Sequence, residues 1–368
     1  MKILYCITGL GIGGAEAITI DLANKMVGLG HSVVLMYLTG QNQQSARIDK
    51  RLQIVGLDMA KTPLGFFNAR KKAVRFMRKW QPDVVHAQMV HANLFCRVIR
   101  LSSQIPLLIC TEHSKNIEGR FRMWMYRITD FLSDVNTNVS EEATRFFIRQ
   151  KAFSVPKSKT VYNGIDLKKF TFSPKNGLKI RGRYGIQKDE FLFLSVGRLT
   201  PAKDQKNLIT AFQSVSVFYS DVKLMIVGEG ELKEELEQYI QKLSLEKQVI
   251  LTGNQRNITD YYRAADCFVL SSAWEGFGIV LAEAMSCELP VIATDAGGCA
   301  EVVGDAEYIV EPHDTKALFG KMRQVYEMSN EKRRRVGKQN REKAKRFDIE
   351  DICRQWLALY SSRNIKQS

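Results

Sequence analysis

Residues 271–304 read SSAWEGFGIVLAEAMSCELPVIATDAGGCAEVVG, and they are the most informative stretch of the chain. Glu275 opens the glycine-containing loop EGFG (275–278), and Glu283 follows eight positions later within an apolar helical pattern. The pattern predicts a loop that leads directly into the N-terminus of a helix. Such an N-terminus carries unpaired N–H groups and about half a positive charge, which suits a phosphate group. Nearby carboxylates accept strong hydrogen bonds from sugar or ribose hydroxyls, so the stretch indicates a nucleotide-sugar site.

Five motifs occur in a fixed order along the chain, and the two glutamates form the last of them. In chain order they are Gly13-Gly14-Ala15-Glu16, Asn163-Gly164-Ile165-Asp166, Gly197-Arg198-Leu199 followed by Lys203, Val227-Gly228-Glu229-Gly230, and Glu275 with Glu283. Their order and spacing resemble those of glycosyltransferase family 4, the retaining "group 1" glycosyltransferases, over essentially the whole chain. The resemblance implies the GT-B fold, an α/β architecture of two Rossmann-like domains whose parallel sheets face a central cleft.

Short β-rich runs alternate with helical patterns, and 368 residues exceed the length of a typical single domain. The alternation predicts parallel sheets covered by helices on both faces. A turn-rich segment, 163–185, interrupts it and is interpreted as a linker. We therefore expect an acceptor-side domain over 1–165 and a nucleotide-sugar-binding domain over 166–348. The resemblance implies that a last helix within 349–368 crosses back to complete the first domain.

The predicted strands are short and apolar. In the first domain they are Lys2–Thr8, Val33–Leu38, Ile54–Leu57, Val84–Ala87, Leu107–Thr111, Val135–Thr137 and Thr160–Tyr162. In the second domain they are Phe191–Val196, Leu224–Val227, Val249–Thr252, Phe268–Leu270 and Val291–Thr294. The first helix, Ala15–Leu29, is expected to end at Gly30.

The net charge of +15 is distributed unevenly. Residues 1–165 hold 23 Lys or Arg residues against 11 Asp or Glu residues, whereas the rest of the chain is nearly balanced. Such asymmetry informs about binding partners rather than about the fold. It indicates an anionic acceptor, an anionic membrane surface, or both. No recognised nucleic-acid-binding module occurs, so no nucleic-acid partner is expected.

The N-terminal run KILYCI has the apolar character of a signal peptide, but Thr8, Gly9 and Gly11 interrupt it and Glu16 and Asp21 follow. A first strand entering a glycine loop is the better interpretation. No apolar run approaches the ~20 residues of a membrane-spanning helix. The seven cysteines show no paired spacing, and several lie in apolar runs. We expect a cytoplasmic protein with buried free thiols, whose contact with the inner membrane, if any, is peripheral at the cytoplasmic face.

Residues 9–14 read GLGIGG between a predicted strand and a predicted helix, which is the G-x-G-x-x-G pattern of a dinucleotide-binding domain. That alternative requires an acidic residue at the end of the second strand to bind the ribose. The second strand instead ends in YLTGQ (37–41), which argues against an oxidoreductase. The resemblance implies that Gly13 and Gly14 lie close to the donor phosphate.

Arg198 and Lys203 follow a predicted strand of the second domain, and a guanidinium beside an ammonium suits a diphosphate. Cleavage of a nucleotide-sugar bond leaves negative charge on that diphosphate, so fixed cations stabilise the transition state. The resemblance implies this role for both residues. It also implies that Glu275 lies beside the transferred sugar and that Glu283 binds the ribose hydroxyls. The helix start would add the backbone amides of Phe277, Gly278, Ile279 and Val280.

Histidines end two strands of the first domain. His113, in CTEHS (110–114), corresponds to a family histidine that contacts the donor sugar. The implied catalytic set is therefore His113, Arg198, Lys203 and Glu275. His86 ends another strand, but many relatives have a second histidine where this chain has Gln88, so the role of His86 is left open.

Two further features rest on single positions. Asn254 and Arg256 follow a predicted strand and, with Glu229, are candidates to line the pocket of the nucleotide base. Relatives usually have glycine at the position of Glu288, where the helix is expected to end in a left-handed turn. A glutamate there would carry an added conformational cost.

Two segments of the first domain mix basic with aromatic residues, FFNARKKAVRFMRKW (66–80) and RFRMWMYR (120–127). Such a mixture suits a helix that lies in an anionic lipid interface. The alternative is that the aromatic side chains face the core while the charges are solvated. Both interpretations stay open, and 120–127 is the better membrane candidate because it follows His113 closely.

The resemblance implies retaining transfer of a hexosyl group from a nucleotide-diphosphate sugar to a hydroxyl acceptor, with UDP favoured over GDP. Bacterial relatives commonly build surface polysaccharide or lipopolysaccharide on lipid-linked acceptors. No D-x-D motif occurs, and neither a metal nor another cofactor is expected. The alternatives are a GT-B epimerase or hydrolase of nucleotide sugars, an NAD-dependent oxidoreductase, and a sugar-binding module without turnover.

Overall fold

The computed structural model describes residues 1–11, 13–115 and 119–362. The chain divides into two compact units, Met1–Gly164 with the segment that starts at Ile349, and Ile165–Asp348. This division falls one residue before the boundary expected from the sequence. Each unit is built on its own parallel sheet.

The first unit has a seven-stranded sheet in its described residues, with the order β3-β2-β1-β4-β5-β6-β7. Its strands are β1 (Lys2–Ile7), β2 (Ser32–Tyr37), β3 (Gln53–Gly56), β4 (Val84–Gln88), β5 (Leu107–Glu112), β6 (Val135–Asn138) and β7 (Ser158–Thr160). Its helices, apart from the last of the chain, are α1 (Gly14–Gly28), α2 (Pro63–Trp80), α3 (Val90–Arg100), α4 (Arg120–Thr129) and α5 (Glu141–Arg149). All strand pairs are parallel.

Local sequence explains the limits of these elements. Strands β4 and β5 are buried along their whole length, as is typical of strands in parallel sheets, which are covered on both faces. Helix α2 begins after Thr62, whose side chain accepts a hydrogen bond from the Gly65 amide, with Pro63 at the first helical position. Helix α1 ends just before the predicted glycine, because Gly30 has a φ of +84° that suits a residue without a Cβ atom.

The second unit has a six-stranded parallel sheet in its described residues, with the order β10-β9-β8-β11-β12-β13. Its strands are β8 (Phe191–Val196), β9 (Val222–Val227), β10 (Val249–Leu251), β11 (Cys267–Leu270), β12 (Val291–Thr294) and β13 (Ile309–Val310). Its helices are α6 (Pro174–Arg183), α7 (Gln205–Phe218), α8 (Lys233–Lys242), α9 (Ile258–Ala264), α10 (Ile279–Ser286), α11 (Cys299–Val303), α12 (Thr315–Tyr326) and α13 (Asn330–Ala344). Two parallel sheets confirm the predicted α/β class.

Helix α14 (Ile349–Ser361) belongs to the first unit. Its apolar residues Ile352, Trp356, Leu359 and Tyr360 share one buried cluster with residues of β1 and α1. Their helical spacing places them on one face, which explains how an amphipathic helix covers this side of the sheet. Residues 363–368 of the predicted segment lie outside the described residues.

The structure differs from the predicted secondary structure at three places. The predicted linker contains α6, because proline is tolerated at a first helical position and Gly177 serves packing rather than a turn. A Cβ atom on Gly177 would lie 2.1 Å from the Arg263 carbonyl oxygen. Strand β13 has only two residues and leaves too little pattern to predict. Strand β7 covers Ser158–Thr160, two residues before the predicted Thr160–Tyr162.

Glu288 occupies the left-handed turn that the sequence predicts, with a φ of +63°. This conformation costs a residue with a Cβ atom roughly 1–2 kcal/mol. Its carbonyl oxygen lies against Gly337 of α13, where a Cβ atom would be 1.9 Å away. The turn is therefore held by close packing of α13 in spite of its strain. The seven cysteines are all buried and free, as predicted.

Candidate functional site

The sheet order of the second unit sets the place of the predicted site. Strand β8 pairs with β9 on one side and β11 on the other, and the chain direction of the connections reverses there. Ligands of open α/β sheets bind outside the carboxyl ends of the strands at such a switch point. The loops that follow β8 and β11 carry the predicted cations and glutamates.

Two glycine loops pack backbone against backbone at this edge. The amide of Leu199 donates to the carbonyl oxygen of Glu229 at 2.9 Å. A Cβ atom on Gly228 would lie 1.9 Å from the Gly197 carbonyl oxygen, and one on Gly230 would lie 2.2 Å from that of Leu199. Glycine is therefore required at 228 and 230 by close approach of the two loops.

Lys203 and Glu275, two residues of the predicted catalytic set, form an ion pair in the second unit. Their side chains are 20% and 13% exposed, so the pair is largely removed from solvent. The amide of Ala273 donates to the Ala202 carbonyl oxygen at 2.9 Å, which ties the two loops together. Ser272 Oγ donates to Glu275 Oε1 at 2.9 Å. The structure thus brings Lys203 and Glu275 together.

Arg198 lies on the same loop as Lys203 but points to solvent. Among the described residues its guanidinium has no hydrogen-bond or ion-pair partner. Its backbone is fixed, because Gln205 Nε2 donates to the Arg198 carbonyl oxygen at 2.9 Å. A guanidinium that is always charged and unpaired on a fixed loop can bind an anion without first breaking an internal contact.

The loop 275–278 is held close to the turn before α11. A Cβ atom on Gly297, which has a φ of +59°, would lie 2.1 Å from the Glu275 carbonyl oxygen. The amide of Gly298 donates to the Gly276 carbonyl oxygen at 3.1 Å. Gly278, with a φ of +76°, is the N-cap of α10. The first amides of α10, those of Ile279 and Val280 among them, have no intrahelical acceptor.

Glu283 lies one and a half turns into α10. Its Oε2 accepts a hydrogen bond from the buried Tyr262 hydroxyl at 2.7 Å. Burial, and next the nearby carboxylate of Glu283, raise the pKa of Tyr262 well above its usual value. The phenol therefore stays a donor and fixes the direction of the Glu283 carboxylate. Phe277 is buried against Phe347, with ring centroids 5.1 Å apart.

The candidates for the nucleotide base lie at a neighbouring place. Asn254 and Arg256 are exposed and line a pocket of about 340 Å³. Glu229 reaches towards this loop, since a Cβ atom on Gly253 would lie 3.0 Å from Glu229 Oε1. Glu229 Oε1 also accepts from Lys233 Nζ at 3.2 Å. Lys203 of the predicted catalytic set is not among the described residues that line this pocket. Binding of the nucleotide base here stays a prediction.

In the first unit, the described part of the glycine loop leads into α1. Gly13 is its N-cap, and a Cβ atom there would lie 2.2 Å from Glu16 Oε2. A Cβ atom on Gly14 would meet nothing within 4 Å. Ile12 of the predicted motif lies outside the described residues. Contact of this loop with a donor phosphate stays a prediction.

His113 follows β5 directly, and its ring is half-buried. Its Nε2 lies 2.7 Å from Gln88 Oε1. Burial lowers the pKa of His113 to about 4, so the imidazole is neutral at physiological pH. A neutral imidazole can exchange hydrogen bonds with sugar hydroxyls through its second nitrogen.

His86, whose role the sequence left open, is completely buried beneath α14. Its ring contacts Trp356, with centroids 4.4 Å apart, and hydrogen-bonds to Tyr360, Gln88 and Thr111. A side chain without exposure does not contact substrate directly. Sequence reasoning missed Gln88 and Tyr360 as its partners, although the period of two in β4 places His86 and Gln88 on one face.

The two basic-aromatic segments differ in exposure. In α2 the residues Ala69, Ala73 and Met77 are buried, and Phe66 packs against the core while Phe67 is exposed. In α4 only Tyr126 and Thr129 are buried among the described residues. The large apolar side chains exposed on or next to α4 are Phe121, Trp124, Ile128 and Phe131. The core alternative therefore fits most of α2, whereas in α4 it fits Tyr126 but not Phe121 or Trp124.

Two kinds of feature are absent from the described residues. No helix among them is both long and apolar enough to cross a membrane. No group of three or more His, Cys, Asp or Glu side chains among them is placed to hold a metal ion.

Comparison with known proteins gives consistent results. Residues 12–169 match the family described as "Glycosyltransferase Family 4", and residues 178–343 match "Glycosyl transferases group 1". The N-acetylgalactosamine-N,N'-diacetylbacillosaminyl-diphospho-undecaprenol 4-alpha-N-acetylgalactosaminyltransferase of Campylobacter jejuni is 33% identical, over 97% of this chain and 98% of its own. The crystal structure of Anabaena Alr3699/HepE in complex with UDP-glucose superposes with a TM-score of 0.85 at 25% identity, covering 98% of this chain and 100% of that one. A glycosyltransferase from Rickettsia africae gives a TM-score of 0.87 at 20% identity, over 100% and 99%.

Proposed function

Because this chain belongs to glycosyltransferase family 4, the group 1 glycosyltransferases of GT-B fold, we propose that it transfers a hexosyl group from a UDP-sugar to a hydroxyl acceptor with retention of the anomeric configuration. The UDP nucleotide is chosen because a structural relative was solved with UDP-glucose. The donor binds the carboxyl edge of the second unit. Arg198 and Lys203 contact the diphosphate, and Glu275 and Glu283 contact hydroxyl groups.

The ion pair of Lys203 with Glu275, next to the unpaired Arg198, carries this proposal. Taking two charges out of solvent is costly, so such a pair is retained most readily where it serves a function. A diphosphate would attract Lys203 away from Glu275 and would bind Arg198 without competition. The released Glu275 carboxylate would then accept hydrogen bonds from the sugar. Lys203 and Glu275 therefore contact each other where, in the proposal, they would contact the diphosphate and the sugar hydroxyls of the donor.

The proposed chemical step needs no protein nucleophile. The bond between the anomeric carbon and the diphosphate oxygen breaks, and a bond from the acceptor oxygen to that carbon forms on the same face. The acceptor proton passes to the departing diphosphate. Arg198 and Lys203 stabilise the negative charge that develops there, which is the largest contribution expected from fixed cations. The proposal includes no metal and no other cofactor.

A thermal-shift screen with UDP-, GDP-, ADP- and dTDP-sugars tests the donor class. We expect a UDP-sugar to raise the melting temperature of the wild type, because a ligand that binds only the folded state stabilises it. Arg198→Ala and Glu283→Ala should each lose this ligand-induced shift. Lys206→Ala is the matched control, since Lys206 is an exposed lysine of α7 paired with Glu235. A wild type that no nucleotide sugar stabilises would refute the donor assignment.

Product analysis then separates transfer from the alternatives. With a hydroxyl acceptor present, we expect a glycoside whose anomeric configuration by NMR matches that of the donor. A free sugar formed equally fast without acceptor would indicate a hydrolase, and an altered nucleotide sugar would indicate an epimerase. An inverted glycoside would refute retention while leaving the transferase assignment intact.

For the acceptor we propose a lipid-linked glycan reached from a membrane surface through α4. The Campylobacter relative is named for a diphospho-undecaprenol substrate. Helix α4 exposes Phe121 and Trp124, stacked with centroids 5.8 Å apart, beside Arg120 and Arg127. Apolar rings with basic neighbours suit an interface with anionic lipid. The excess positive charge of residues 1–165 would likewise favour an anionic surface.

Vesicle flotation tests this contact. We expect the wild type to bind vesicles that contain anionic phospholipid and not purely zwitterionic ones, with binding reduced at high salt. Phe121→Ser with Trp124→Ser should abolish binding. Val217→Ser is the matched control, because Val217 is an apolar residue on α7 of the other unit and is more exposed than either ring. Equal binding by the double variant would contradict the role of α4.

A further inference from the structure

A chain of hydrogen bonds runs through the first unit from α14 to His113. His113 Nε2 lies 2.7 Å from Gln88 Oε1, and Gln88 Nε2 lies 2.9 Å from His86 Nε2. His86 Nδ1 lies 2.7 Å from the Tyr360 hydroxyl, which lies 3.0 Å from the Tyr5 hydroxyl. We call these five residues the His113 relay.

The relay is buried except at its His113 end. Tyr5, His86, Gln88 and Tyr360 are each at most 4% exposed. Thr111 also holds the His86 ring in the middle of the relay, because Thr111 Oγ1 lies 2.6 Å from His86 Nε2. Buried polar groups that lose a partner cannot turn to water instead, so each member holds the orientation of the next.

The amide of Gln88 gives the relay a direction, since Oε1 only accepts and Nε2 only donates. His113 therefore donates from Nε2–H to Gln88 Oε1. His86 Nε2 accepts from Gln88, and the Thr111 hydroxyl shares this acceptor as a second donor. His86 then donates from Nδ1–H to Tyr360. Both rings are neutral in this arrangement, because burial lowers the pKa of His113 to about 4 and that of His86 to about 3. The same direction leaves His113 Nδ1 without a proton.

We propose that Gln88, His86 and Tyr360 are positioning residues that hold His113 as its Nε2-protonated tautomer, so that Nδ1 accepts a hydrogen bond from a sugar hydroxyl. This inference rests on the proposed function. His113 Nδ1 is buried and has no hydrogen-bond partner among the described residues, so a ligand hydroxyl would supply a missing donor. His113 is also one of the residues that line a pocket of about 20 Å³, which has room for one hydroxyl-sized group.

A purely structural relay would affect stability and nothing else. The two explanations separate at the tyrosines, because Tyr360→Phe and Tyr5→Phe each remove one hydroxyl from a buried ring of the first unit. Only the Tyr360 hydroxyl hydrogen-bonds to His86. Positioning predicts that Tyr360→Phe disturbs His113 and that Tyr5→Phe does not.

The test combines NMR with kinetics on the full chain. Nitrogen-15-labelled histidine reports which ring nitrogen of His113 carries the proton, with His113→Gln used to assign the signal. We expect Nε2-protonated His113 in the wild type and a mixture of tautomers in Gln88→Met, which removes both hydrogen bonds of Gln88. With a UDP-sugar, Gln88→Met should lower kcat roughly tenfold, as loss of one oriented hydrogen bond does. Its thermal shift with UDP alone should be unchanged, because UDP carries no sugar hydroxyl.

Gln88→His is the rescue variant, since an imidazole at 88 can again accept from one neighbour and donate to the other. It should restore both the tautomer and kcat. Unchanged tautomers in Gln88→Met, or equal losses of kcat in Tyr5→Phe and Tyr360→Phe, would overturn the inference. If the wild type transfers no sugar at all, the proposed function fails, yet the tautomer measurements still decide whether the relay positions His113.

Discussion

The two units share one topology and differ in the chemistry at the carboxyl edges of their sheets. In each, the first strand lies in the sheet interior with two later strands on one side and the rest on the other. The edge of the first unit presents buried neutral groups around His113 and Gln88. The edge of the second presents charges, the pair of Lys203 with Glu275 and the exposed Arg198.

Under the proposed function, this difference would adapt one scaffold to two kinds of ligand. A diphosphate needs fixed cations, and the Lys203 ammonium and the Arg198 guanidinium can supply them. A sugar hydroxyl needs a donor or an acceptor of fixed direction, and burial keeps His113 neutral and oriented. Burial therefore sets the chemistry at the carboxyl edge of each sheet, whereas the strand order is the same in both units.

Removal of Lys203 gives the largest expected effect on this comparison. We expect Lys203→Met to lower kcat by about 10²–10³, the loss typical of one group that stabilises a developing anion. The measurement is steady-state transfer with a UDP-sugar at saturating acceptor. Lys206→Met, at an exposed position of α7, is the control and should keep kcat within a factor of about two.

Glu275→Gln tests whether Glu275 competes with the diphosphate for Lys203. The neutral amide no longer competes for Lys203, so UDP should bind more tightly by calorimetry while transfer becomes slower. Weaker binding of UDP would show that Glu275 assists Lys203 rather than competes with the diphosphate.

An intermediate effect tests whether the two units can be perturbed separately. Gly177→Ala should lower the free energy of unfolding by about 1–3 kcal/mol, because its Cβ atom would lie 2.1 Å from the Arg263 carbonyl oxygen. Gly182→Ala, in the same helix, meets nothing within 4 Å and should be neutral or stabilising by about 0.5–1 kcal/mol. Denaturant unfolding measures both. A change of the His113 tautomer in Gly177→Ala would contradict the separation of the units.

Much of the fold could be predicted from the sequence, and the GT-B prediction is confirmed. Strands of parallel sheets are buried on both faces, so β1 and β8 appear as mostly apolar runs. The failures have local causes. In α6 the residues that normally mark a turn, Pro174 and Gly177, serve a helix start and a close helix contact instead.

The residues of the candidate site were predicted one by one from the sequence, but their contacts could not be predicted. Lys203 and Glu275 are 72 positions apart, and no periodic pattern joins them. His86 and Tyr360 are 274 positions apart and meet only because α14 packs on the first sheet. Charge and strand-end position can be predicted from sequence, whereas pairing across the fold depends on three-dimensional packing.

The smallest effect concerns Glu112, a buried carboxyl beside His113. Its Oε1 accepts from Asn93 Nδ2 at 3.0 Å and from the Tyr126 hydroxyl. Burial raises the pKa of Glu112 to about 7, whereas burial lowers the pKa values of His86 and His113. At about pH 5 to 6.5 the folded state holds an extra proton on Glu112, and the unfolded state holds extra protons on the two histidines. As the pH falls, the carboxyl therefore stabilises the fold while the histidines destabilise it.

Glu112→Gln removes the opposing contribution and keeps an acceptor for the Tyr126 hydroxyl. We expect the free energy of unfolding to fall more steeply between about pH 6.5 and pH 5 than in the wild type, by up to about 1.4 kcal/mol per pH unit. Chemical denaturation across this range measures the slope, and Glu246→Gln at an exposed position is the control. Identical slopes in Glu112→Gln and the wild type would mean that the carboxyl is ionised in the folded state. The edge of the first unit would then hold a charge, and its contrast with the second would be one of degree.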